Sequence, residues 1–208
     1  AARGCRALHI GFRSTDCLQP EVPRQPTFLH LAGASRMKGT QRLLALWQRH
    51  PEWPKLLVLQ SPRTATRLAG PAPVNIEHRV GYSTDVHEIR QLQNAHLFHL
   101  CLSETEGWGH YLVEAMSCKA VVITCDAPPM NELVAPARGV LVKASGIGPF
   151  NLTTLHRFDE AALEAAIGRL LSMPGNERAT LGEQARAWFE SNEAAFAARL
   201  DAALRQLS

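Results

Sequence analysis

Short apolar runs alternate with helical patterns along the chain from Phe28 onward. Several of the runs are apolar without alternation, which is typical of strands covered on both faces. Strands that alternate with helices indicate βαβ units, so the pattern predicts a six-stranded, mostly parallel sheet with helices on both faces and right-handed crossovers. The predicted strands are residues 28–32, 56–59, 74–80, 96–102, 120–125 and 139–142, with helical spacing at residues 40–50 and 84–95 between them.

The last fifty residues have a different pattern from the rest of the chain. Residues 159–172 and 176–207 are rich in Ala, Leu, Glu and Arg, with the helical apolar spacing of about 3.6 residues. Pro174-Gly175 separates the two stretches. A second break near Ser191-Asn192 predicts that the longer stretch forms two helices. We expect the last helix, around residues 193–207, to pack away from the centre of the sheet.

The first 26 residues fit no repeat of the strand and helix pattern. They contain Pro20, Pro23 and Pro26 and little periodicity, which predicts an interdomain linker with one short strand at residues 7–11. A glycine pair at residues 146–148 has no helix after it and is interpreted as a loop. The predicted parts of the chain are therefore a linker at 1–26, an α/β domain at 27–190 and a C-terminal helix at 191–208.

Composition and charge narrow the class of protein. Hydrophobic residues make up 46% of the 208 residues and charged residues 20%, which is ordinary for a globular protein. The net charge of +3 comes from 22 basic and 19 acidic residues, so no nucleic acid is expected as a partner. No apolar run reaches the length of about 18 residues that a transmembrane helix needs. The five cysteines form no CxxC pair, so neither a zinc ribbon nor a disulfide framework is expected.

The segment from Glu106 to Glu114 carries the most informative chemistry. It follows an apolar strand and opens a helix, and such turns in an α/β sheet lie at the carboxyl edge, where ligands bind. Gly107 and Gly109 let backbone N–H groups approach a ligand, and the helix start adds a positive dipole end, so the turn predicts a phosphate site. Ionised Glu106 and Glu114 only accept hydrogen bonds, so beside a phosphate we expect them to bind hydroxyls of a sugar and a ribose.

This segment resembles a known family motif. Glu106 and Glu114 are separated by seven residues with Gly-Trp-Gly inside, which is similar to the EX7E motif of the GT4 family of glycosyltransferases. The resemblance implies the C-terminal, Rossmann-like half of a GT-B fold, and retaining transfer of a sugar from a nucleoside-diphosphate sugar to a glycan or lipid-linked acceptor. It covers about residues 28–172, with matches at 29–33, Lys38-Gly39-Thr40, 120–124, 126–133 and 139–142.

The resemblance also implies roles for single residues. Lys38 and Arg36 would hold the donor diphosphate. Glu106 would lie against the donor sugar, and Glu114 would hold the ribose hydroxyls. Glu106 and Lys38 are therefore the candidate catalytic residues.

Further donor-binding candidates lie in the glycine turn and in a second loop. They are Gly107, Trp108, Gly109 and His110 in the turn, and Gly81 and Tyr82 after the strand that ends at residue 80. By the same resemblance, the two turn glycines would cap the phosphate or the transferred sugar, and the second loop would lie against the base. For Trp108, packing of the turn is the alternative left open, and for His110 it is simple exposure.

Metal-independent transfer is the expectation for this chain. No Asp-x-Asp pair is present to hold a divalent ion, so cations and a helix N-terminus would stabilise the leaving diphosphate, and neither a metal nor a cofactor is expected. The expected partners are a nucleotide sugar and an N-terminal acceptor-binding domain or subunit. The implied location is the cytoplasm, with peripheral association of the full enzyme at the inner membrane face left open.

The chain departs from the family pattern in several respects. Ala34 follows Gly33 where the family usually has Arg, and the loop to Lys38 is one residue shorter, so either Arg36 replaces that Arg or the phosphate grip is weaker. Tyr111 stands where Pro is common. The chain also holds only one of the two domains that the family has. We therefore expect an acceptor-binding domain elsewhere in a longer chain or in a separate subunit, the final helix to pack toward it, and this chain alone to bind a nucleotide without enzymatic turnover.

Three other functions are alternatives to glycosyl transfer. A sugar-nucleotide 2-epimerase has the same two-domain architecture, but the Glu-Gly-x-Gly turn with EX7E spacing favours the transferase. A non-catalytic nucleotide-binding or assembly module stays open because the partner domain is missing. A dehydrogenase is disfavoured, because no G-x-G-x-x-G follows the first strand.

Overall fold

The fold alternates strands and helices over most of its length. The computed structural model describes residues 8–66, 70, 73–81 and 85–206. Its elements in chain order are β1 (Gln25–Gly33), α1 (Thr40–Gln48), β2 (Leu56–Gln60), β3 (Ile76–Val80), α2 (Val86–Ala95), β4 (His96–Cys101), α3 (His110–Ser117), β5 (Val121–Asp126), α4 (Met130–Leu133), β6 (Val140–Phe150), β7 (Thr153–Phe158), α5 (Glu160–Ser172) and α6 (Gly175–Arg205).

One sheet of seven strands organises the structure, in the order β3-β2-β1-β4-β5-β6-β7. The first six strands are parallel, which confirms the predicted α/β class. The strand order reverses between β1 and β4, because β2 lies on one side of β1 and β5 lies on the far side of β4. The loops after these two strands therefore diverge, and they leave a crevice at the carboxyl edge of the sheet, where ligands of such folds bind.

Helices cover both faces of the sheet, as the apolar strands require. Every residue from Val121 to Cys125 in β5 is fully buried, so this strand reads as a continuous apolar run. Ion pairs from Arg42 and Arg49 to Glu160 join α1 to α5, at 2.9 and 2.7 Å. On the other face α6 packs on α3 and on the turn before β5. A Cβ at Gly182 would lie only 2.4 Å from the carbonyl oxygen of Lys119, so this close packing needs a glycine.

The seventh strand corrects the sequence prediction. β7 is antiparallel to β6, and the glycine pair at residues 146–148, interpreted as a loop, lies within β6. The pairing register shifts between Gly146 and Gly148, and Gly148 has a φ of +146°. The two glycines therefore accommodate a bulge in a strand, which sequence pattern alone does not distinguish from a loop. The backbone N–H of His156 in β7 donates to the carbonyl of Glu104 at 2.7 Å and ties this hairpin to the loop after β4.

The C-terminal region is one helix, so the predicted break at Ser191-Asn192 is wrong. α6 runs without interruption through 31 residues. The Asn192 side chain donates to the carbonyl of Phe12 at 2.9 Å and accepts from Arg199 at 2.9 Å. Its polar groups are thus satisfied by other parts of the chain and do not compete with the helix backbone. That residues 191–208 face a further domain stays a prediction. In the described part of the chain no helix combines the length and apolarity needed to cross a bilayer.

The described part of the N-terminal segment, which begins at residue 8, lies against the domain and forms no strand before β1. Residues 8–11 are not a strand, because the carbonyl of Ile10 accepts from Arg199 Nε at 2.8 Å where a strand would pair with a neighbour. Further along, Arg186 binds both carboxylate oxygens of Asp16, at 2.6 and 2.9 Å. The carbonyl of Cys17 accepts from the Asn94 side chain at 2.7 Å. These contacts fix the segment beside α2 and α6, and its assignment as an interdomain linker stays a prediction.

Candidate functional site

The loops after β1 and β4 touch at the crevice of the sheet. The backbone N–H of Glu104 donates to the carbonyl of Met37 at 2.7 Å. Gly39 has a φ of +68°, and a Cβ there would lie 2.7 Å from the carbonyl oxygen of Leu102. A glycine is therefore required at this position both by the left-handed backbone and by the close approach. Its absence of a side chain lets the first loop lie directly against the second.

This contact brings two predicted catalytic residues together. Lys38 Nζ lies 2.5 Å from Glu106 Oε1, and both side chains are mostly buried, with 15% and 17% of their surface exposed. The same Glu106 oxygen accepts a hydrogen bond from Ser103 Oγ at 2.5 Å. One ammonium and one hydroxyl thus orient the carboxylate. The structure thus places these two candidates side by side, and their catalytic role stays a prediction.

Tyr111 completes this cluster from the first turn of α3. Its hydroxyl lies 2.5 Å from Ser103 Oγ, and since that serine donates to Glu106, the phenol is the donor to the serine. Lys38 Nζ also sits over the Tyr111 ring, 3.3 Å from its centroid, in a cation–π arrangement. Burial raises the pKa of the Tyr111 phenol well above its ordinary value, so the hydroxyl keeps its proton. Sequence reasoning noted Tyr111 only as a replacement for proline and missed its contacts.

The helices that begin at this crevice have no side-chain caps. α1 is preceded by Gly39 and α3 by Gly109, which has a φ of +104°, and neither helix has a capping side chain or an acidic residue in its first turn. In contrast, Asp85 caps α2 and Asp159 caps α5. The first backbone N–H groups of a helix have no partner within the helix. At α1 and α3 these N–H donors and the positive ends of the helix dipoles can bind an anion.

Glu114 lies in the second turn of α3, beside a cleft of about 210 Å³. Burial raises the pKa of its carboxyl, although Gln93 Nε2 donates weakly to it at 3.5 Å. A partly desolvated carboxylate with a single long hydrogen bond retains capacity to accept hydrogen bonds from a ligand. The residues that line this cleft are Thr15, Cys17, Asp85, Val86, Ile89, Arg90, Gln93 and Glu114.

A second cleft of about 210 Å³ continues along the carboxyl edge toward β2 and β3. It shares Ile89 with the first and is lined by Leu31, Gly33, Leu59, Gln60, Ser61, Gly81 and Ile89. Gly81 is held there by a hydrogen bond from its N–H to the carbonyl of Gln60 at 3.0 Å, and its open side faces no atom within 4 Å. The structure therefore places Gly81 on the same edge as Glu114. Tyr82 lies outside the described residues.

The N-terminal segment forms a wall beside the glycine turn. The ring of Phe12 lies 5.0 Å from the ring of His110, edge on, and 6.2 Å from that of Trp108. His110 is exposed, and its Nδ1 lies 3.0 Å from Ser14 Oγ. Trp108 packs partly against the core. A Cβ at Gly107 would meet nothing within 4 Å, so this turn is open on its outer side. Contact of these residues with a donor stays a prediction, and no pattern in the sequence predicted that Phe12 packs against this turn.

Arg36 is not part of the Lys38 cluster. Its side chain is exposed and makes no hydrogen bond or ion pair with the residues that the structure describes. It lines clefts on the α1 side of the edge together with Thr40 and Gln41. That Arg36 holds the donor diphosphate together with Lys38 stays a prediction.

His30 connects the elements that form the crevice through two buried hydrogen bonds. It is fully buried in β1, with Nδ1 2.7 Å from the carbonyl oxygen of Leu100 and Nε2 2.9 Å from Thr40 Oγ1. The carbonyl can only accept, so Nδ1 carries the proton and Nε2 accepts from the threonine hydroxyl. Burial lowers the pKa of His30 to about 4, which keeps the ring neutral. The ring thus joins β1, β4 and the start of α1. Sequence reasoning did not single it out.

No group of three or more His, Cys, Asp or Glu side chains in the described ranges is arranged to hold a metal ion. That transfer needs no metal stays a prediction.

Solved glycosyltransferase structures have this fold. The GtfA/B complex superposes with a TM-score of 0.70 at 21% identity, over 93% of this chain and 39% of that one. Anabaena HepE in complex with UDP gives a TM-score of 0.71 at 16% identity, over 99% and 58%. The C-terminal domain of LpcC, a glycosyl transferase group 1 family protein from Francisella tularensis, gives 0.57 at 18% identity, over 86% and 94%. The chain thus spans about two fifths of the GtfA/B chain and less than three fifths of the HepE chain.

Sequence comparison gives the family. No curated protein matches the chain. The sequence profile of the glycosyl transferases group 1 matches residues 19–188, a range that includes both loops of the crevice and the whole of α3. The chain therefore belongs to the group 1 glycosyl transferases.

Proposed function

We propose that this chain is the donor-binding part of a retaining glycosyltransferase that uses a nucleoside-diphosphate sugar. The observation that carries the proposal is the Lys38–Glu106 pair, which lies at the crevice between two helices whose N-termini have no side-chain caps. A cation and unpaired backbone donors suit a diphosphate, and an adjacent carboxylate suits sugar hydroxyls. Anabaena HepE, which has the same fold, has been solved with UDP and with UDP-glucose.

The proposed donor lies along the carboxyl edge of the sheet. Its ribose hydroxyls donate to Glu114, and its base occupies the apolar cleft beside Gly81. Its diphosphate accepts from the N-terminus of α3 and from Lys38. The transferred sugar lies against Glu106, which follows in the same loop. In this arrangement the cation and the backbone N–H groups face the phosphates, and the two carboxylates face hydroxyl groups.

In the proposed reaction, the bond between the anomeric carbon and the diphosphate oxygen breaks, and the oxygen of an acceptor hydroxyl forms the new bond on the same face. The proton of that hydroxyl passes to the leaving diphosphate. Negative charge develops on the leaving diphosphate, and Lys38 and the backbone N–H groups at Gly109 stabilise it without a metal. The Tyr111 ring and Glu106 hold the ammonium in place before the donor binds. Such preorganised charge needs little rearrangement as the bond breaks.

The acceptor is proposed to bind mainly on a further domain. The chain spans 39% of the GtfA/B chain and 58% of the HepE chain, and the groups described above all face the donor. Transfer requires the acceptor oxygen to be held within reach of the anomeric carbon. We therefore propose that this chain alone binds a donor, that it does not transfer the sugar at an enzymatic rate, and that a glycan or lipid-linked acceptor is brought by an additional domain or subunit.

Calorimetric titration tests the proposal. UDP, GDP, ADP and their common sugar conjugates are titrated into the chain and into the Glu114→Ala variant. We expect one base to bind best and Glu114→Ala to lose about tenfold in affinity, the loss of one or more charge-assisted hydrogen bonds. Arg169→Gln, a change of an exposed residue on α5, is the control and should bind like the parent. Absence of binding by every nucleotide, or equal binding by the Glu114 variant, would contradict the proposal.

A further inference from the structure

A further cleft, distinct from the two clefts beside Glu114 and Gly81, lies on the α1 side of the crevice. It has a volume of about 260 Å³ and is lined by Arg36, Gly39, Thr40, Gln41, Arg42, Glu104 and Arg157. We call it the arginine cleft. It shares Arg36, Thr40 and Gln41 with a larger neighbouring cleft of about 520 Å³. Neither cleft is lined by Lys38, Glu106 or Glu114, so the arginine cleft is separate from the groups proposed for the donor.

Positive charge is in excess in the arginine cleft. Three arginines and one acid line it, and the acid, Glu104, forms an ion pair with Arg157 at 3.6 Å, which is too long for a hydrogen bond. Arg42 pairs with Glu160 at 2.9 Å, but Glu160 is shared with Arg49 at 2.7 Å. Arg36 is exposed and has no ion-pair partner among the described residues. An anion would balance this charge.

Two donors in the arginine cleft lack partners. The Nε–H groups of Arg42 and Arg157 are buried, and each lacks a hydrogen bond within the part of the chain that the structure describes. Buried donors without partners are costly, so the described residues do not fully satisfy the two guanidinium groups. The N-terminus of α1 opens into the same cleft at Gly39 and has no side-chain cap. The three arginines and the N-terminus of α1 therefore line one space.

A phosphoryl group fits these donors best. Guanidinium groups match phosphate oxygens in a fork geometry, and a helix N-terminus adds backbone donors. The cleft is also joined to the proposed reaction site, because Glu104 belongs to the same loop as Glu106 and its carbonyl accepts from His156, the neighbour of Arg157, at 2.7 Å. A ligand held there lies beside the loop that carries Glu106.

We propose that the arginine cleft binds the phosphoryl group of a phosphorylated acceptor, at a position separate from the donor diphosphate. That the ligand is an acceptor rests on the proposed function, whereas the binding of a phosphoryl group is argued from the cleft alone. It assigns Arg36, expected from the sequence at the donor diphosphate, to this second ligand.

The test follows the arginine Nε–H signals of the isotope-labelled chain by NMR, with assignments from single Arg→Gln variants. Inorganic phosphate and glucose 1-phosphate are titrated in turn, at constant ionic strength set with chloride, with and without saturating UDP. We expect both probes to shift the Arg42 and Arg157 signals whether or not UDP is present. Arg157→Gln should weaken phosphate binding about tenfold, and Arg36→Gln severalfold, while UDP affinity stays within about twofold of the parent. Arg169→Gln is the matched control and should leave phosphate binding unchanged.

Several outcomes would overturn the proposal. If neither signal moves, the cleft binds no phosphate. If UDP displaces the probe, the cleft belongs to the donor diphosphate. If inorganic phosphate binds but glucose 1-phosphate does not, the cleft excludes an organic phosphate and cannot serve an acceptor. An equal loss in Arg169→Gln would indicate attraction by overall charge. If UDP fails to bind while both probes still shift the arginine signals, the proposed function fails and the phosphate site remains.

Discussion

The ammonium nitrogen of Lys38 lies 2.5 Å from a carboxylate oxygen of Glu106, although 68 residues separate them in the chain. The pair joins the loops after β1 and β4 at the point where the strand order reverses. Both side chains are largely buried, so removal of one leaves the other as an unbalanced charge, which is costly in a protein interior. The crevice is therefore organised before any ligand arrives.

Lys38→Ala should weaken binding of a nucleoside diphosphate by about tenfold or more, the usual effect of losing a charge-assisted contact to phosphate. Binding of the bare nucleoside should change little, because Lys38 is expected at the diphosphate alone. Calorimetry with both ligands measures the difference. Equal losses for the two ligands would place Lys38 away from the phosphates.

Tyr111 should matter through its ring more than through its hydroxyl for nucleotide binding. Tyr111→Leu removes the ring beneath the Lys38 ammonium, and we expect a two- to fivefold loss of diphosphate affinity, corresponding to a cation–π contribution of ~0.5–1 kcal/mol. Tyr111→Phe keeps the ring and should bind like the parent. An equal loss in both variants would show that the hydroxyl and its contact with Ser103 carry the effect.

Nucleoside binding should depend on the protonation of Glu114. Burial raises the pKa of this carboxyl, and hydroxyl groups donate best to its ionised form. Affinity should therefore fall as the pH is lowered through a range above the ordinary glutamate value of 4.5. The bare nucleoside is the right ligand, because a phosphate group titrates on its own near pH ~6 and would add its own pH dependence. Glu114→Gln should bind more weakly than the parent, with a flatter pH profile, and an unchanged profile would remove Glu114 from the ribose site.

His30 should make folding stability depend on pH. Its pKa in the folded chain is lowered to about 4 from 6.5. Between these two pH values His30 is therefore protonated in the unfolded chain and neutral in the folded chain. The free energy of unfolding should therefore fall as the pH drops from 6.5 toward 4, by at most ~1.4 kcal/mol per pH unit for this one group.

Urea denaturation at several pH values measures this dependence. His30→Gln should be less stable at pH 7 and should lose less stability on acidification than the parent. The exposed His87→Gln is the matched control and should keep the parent slope. A His30 variant with the full parent slope would show that other groups account for the acid sensitivity.

Much of the fold was predictable because its signals are local. The apolar runs that became β1, β2, β4 and β5 are buried on both faces, and Gly109 and Gly39 mark helix starts that need a left-handed residue. The pairing of Lys38 with Glu106 was predictable only through the family motif, since nothing local in either segment refers to the other.

The remainder depended on tertiary contacts that no local pattern carries. Asn192 predicted a helix break because its side chain can compete for the hydrogen bonds of the backbone. In the structure that side chain instead donates to the carbonyl of Phe12 and accepts from Arg199. The glycines of residues 146–148 are compatible with a loop, and only pairing with β7 makes them a bulged strand. The contact of Lys38 with Glu106 is likewise set by where the two loops meet.

The most direct test of the central claim is an NMR map of backbone amides during titration with the best-binding nucleoside diphosphate. The account predicts that the largest shifts fall on the amides of Gly107, Gly109 and Tyr111, with further shifts beside Lys38 and Glu114. Glu114→Ala and Lys38→Ala should each require more ligand to reach the same map. Shifts confined to the arginine cleft, to the outer face of α6 or to no defined surface would contradict a donor site at the crevice between β1 and β4.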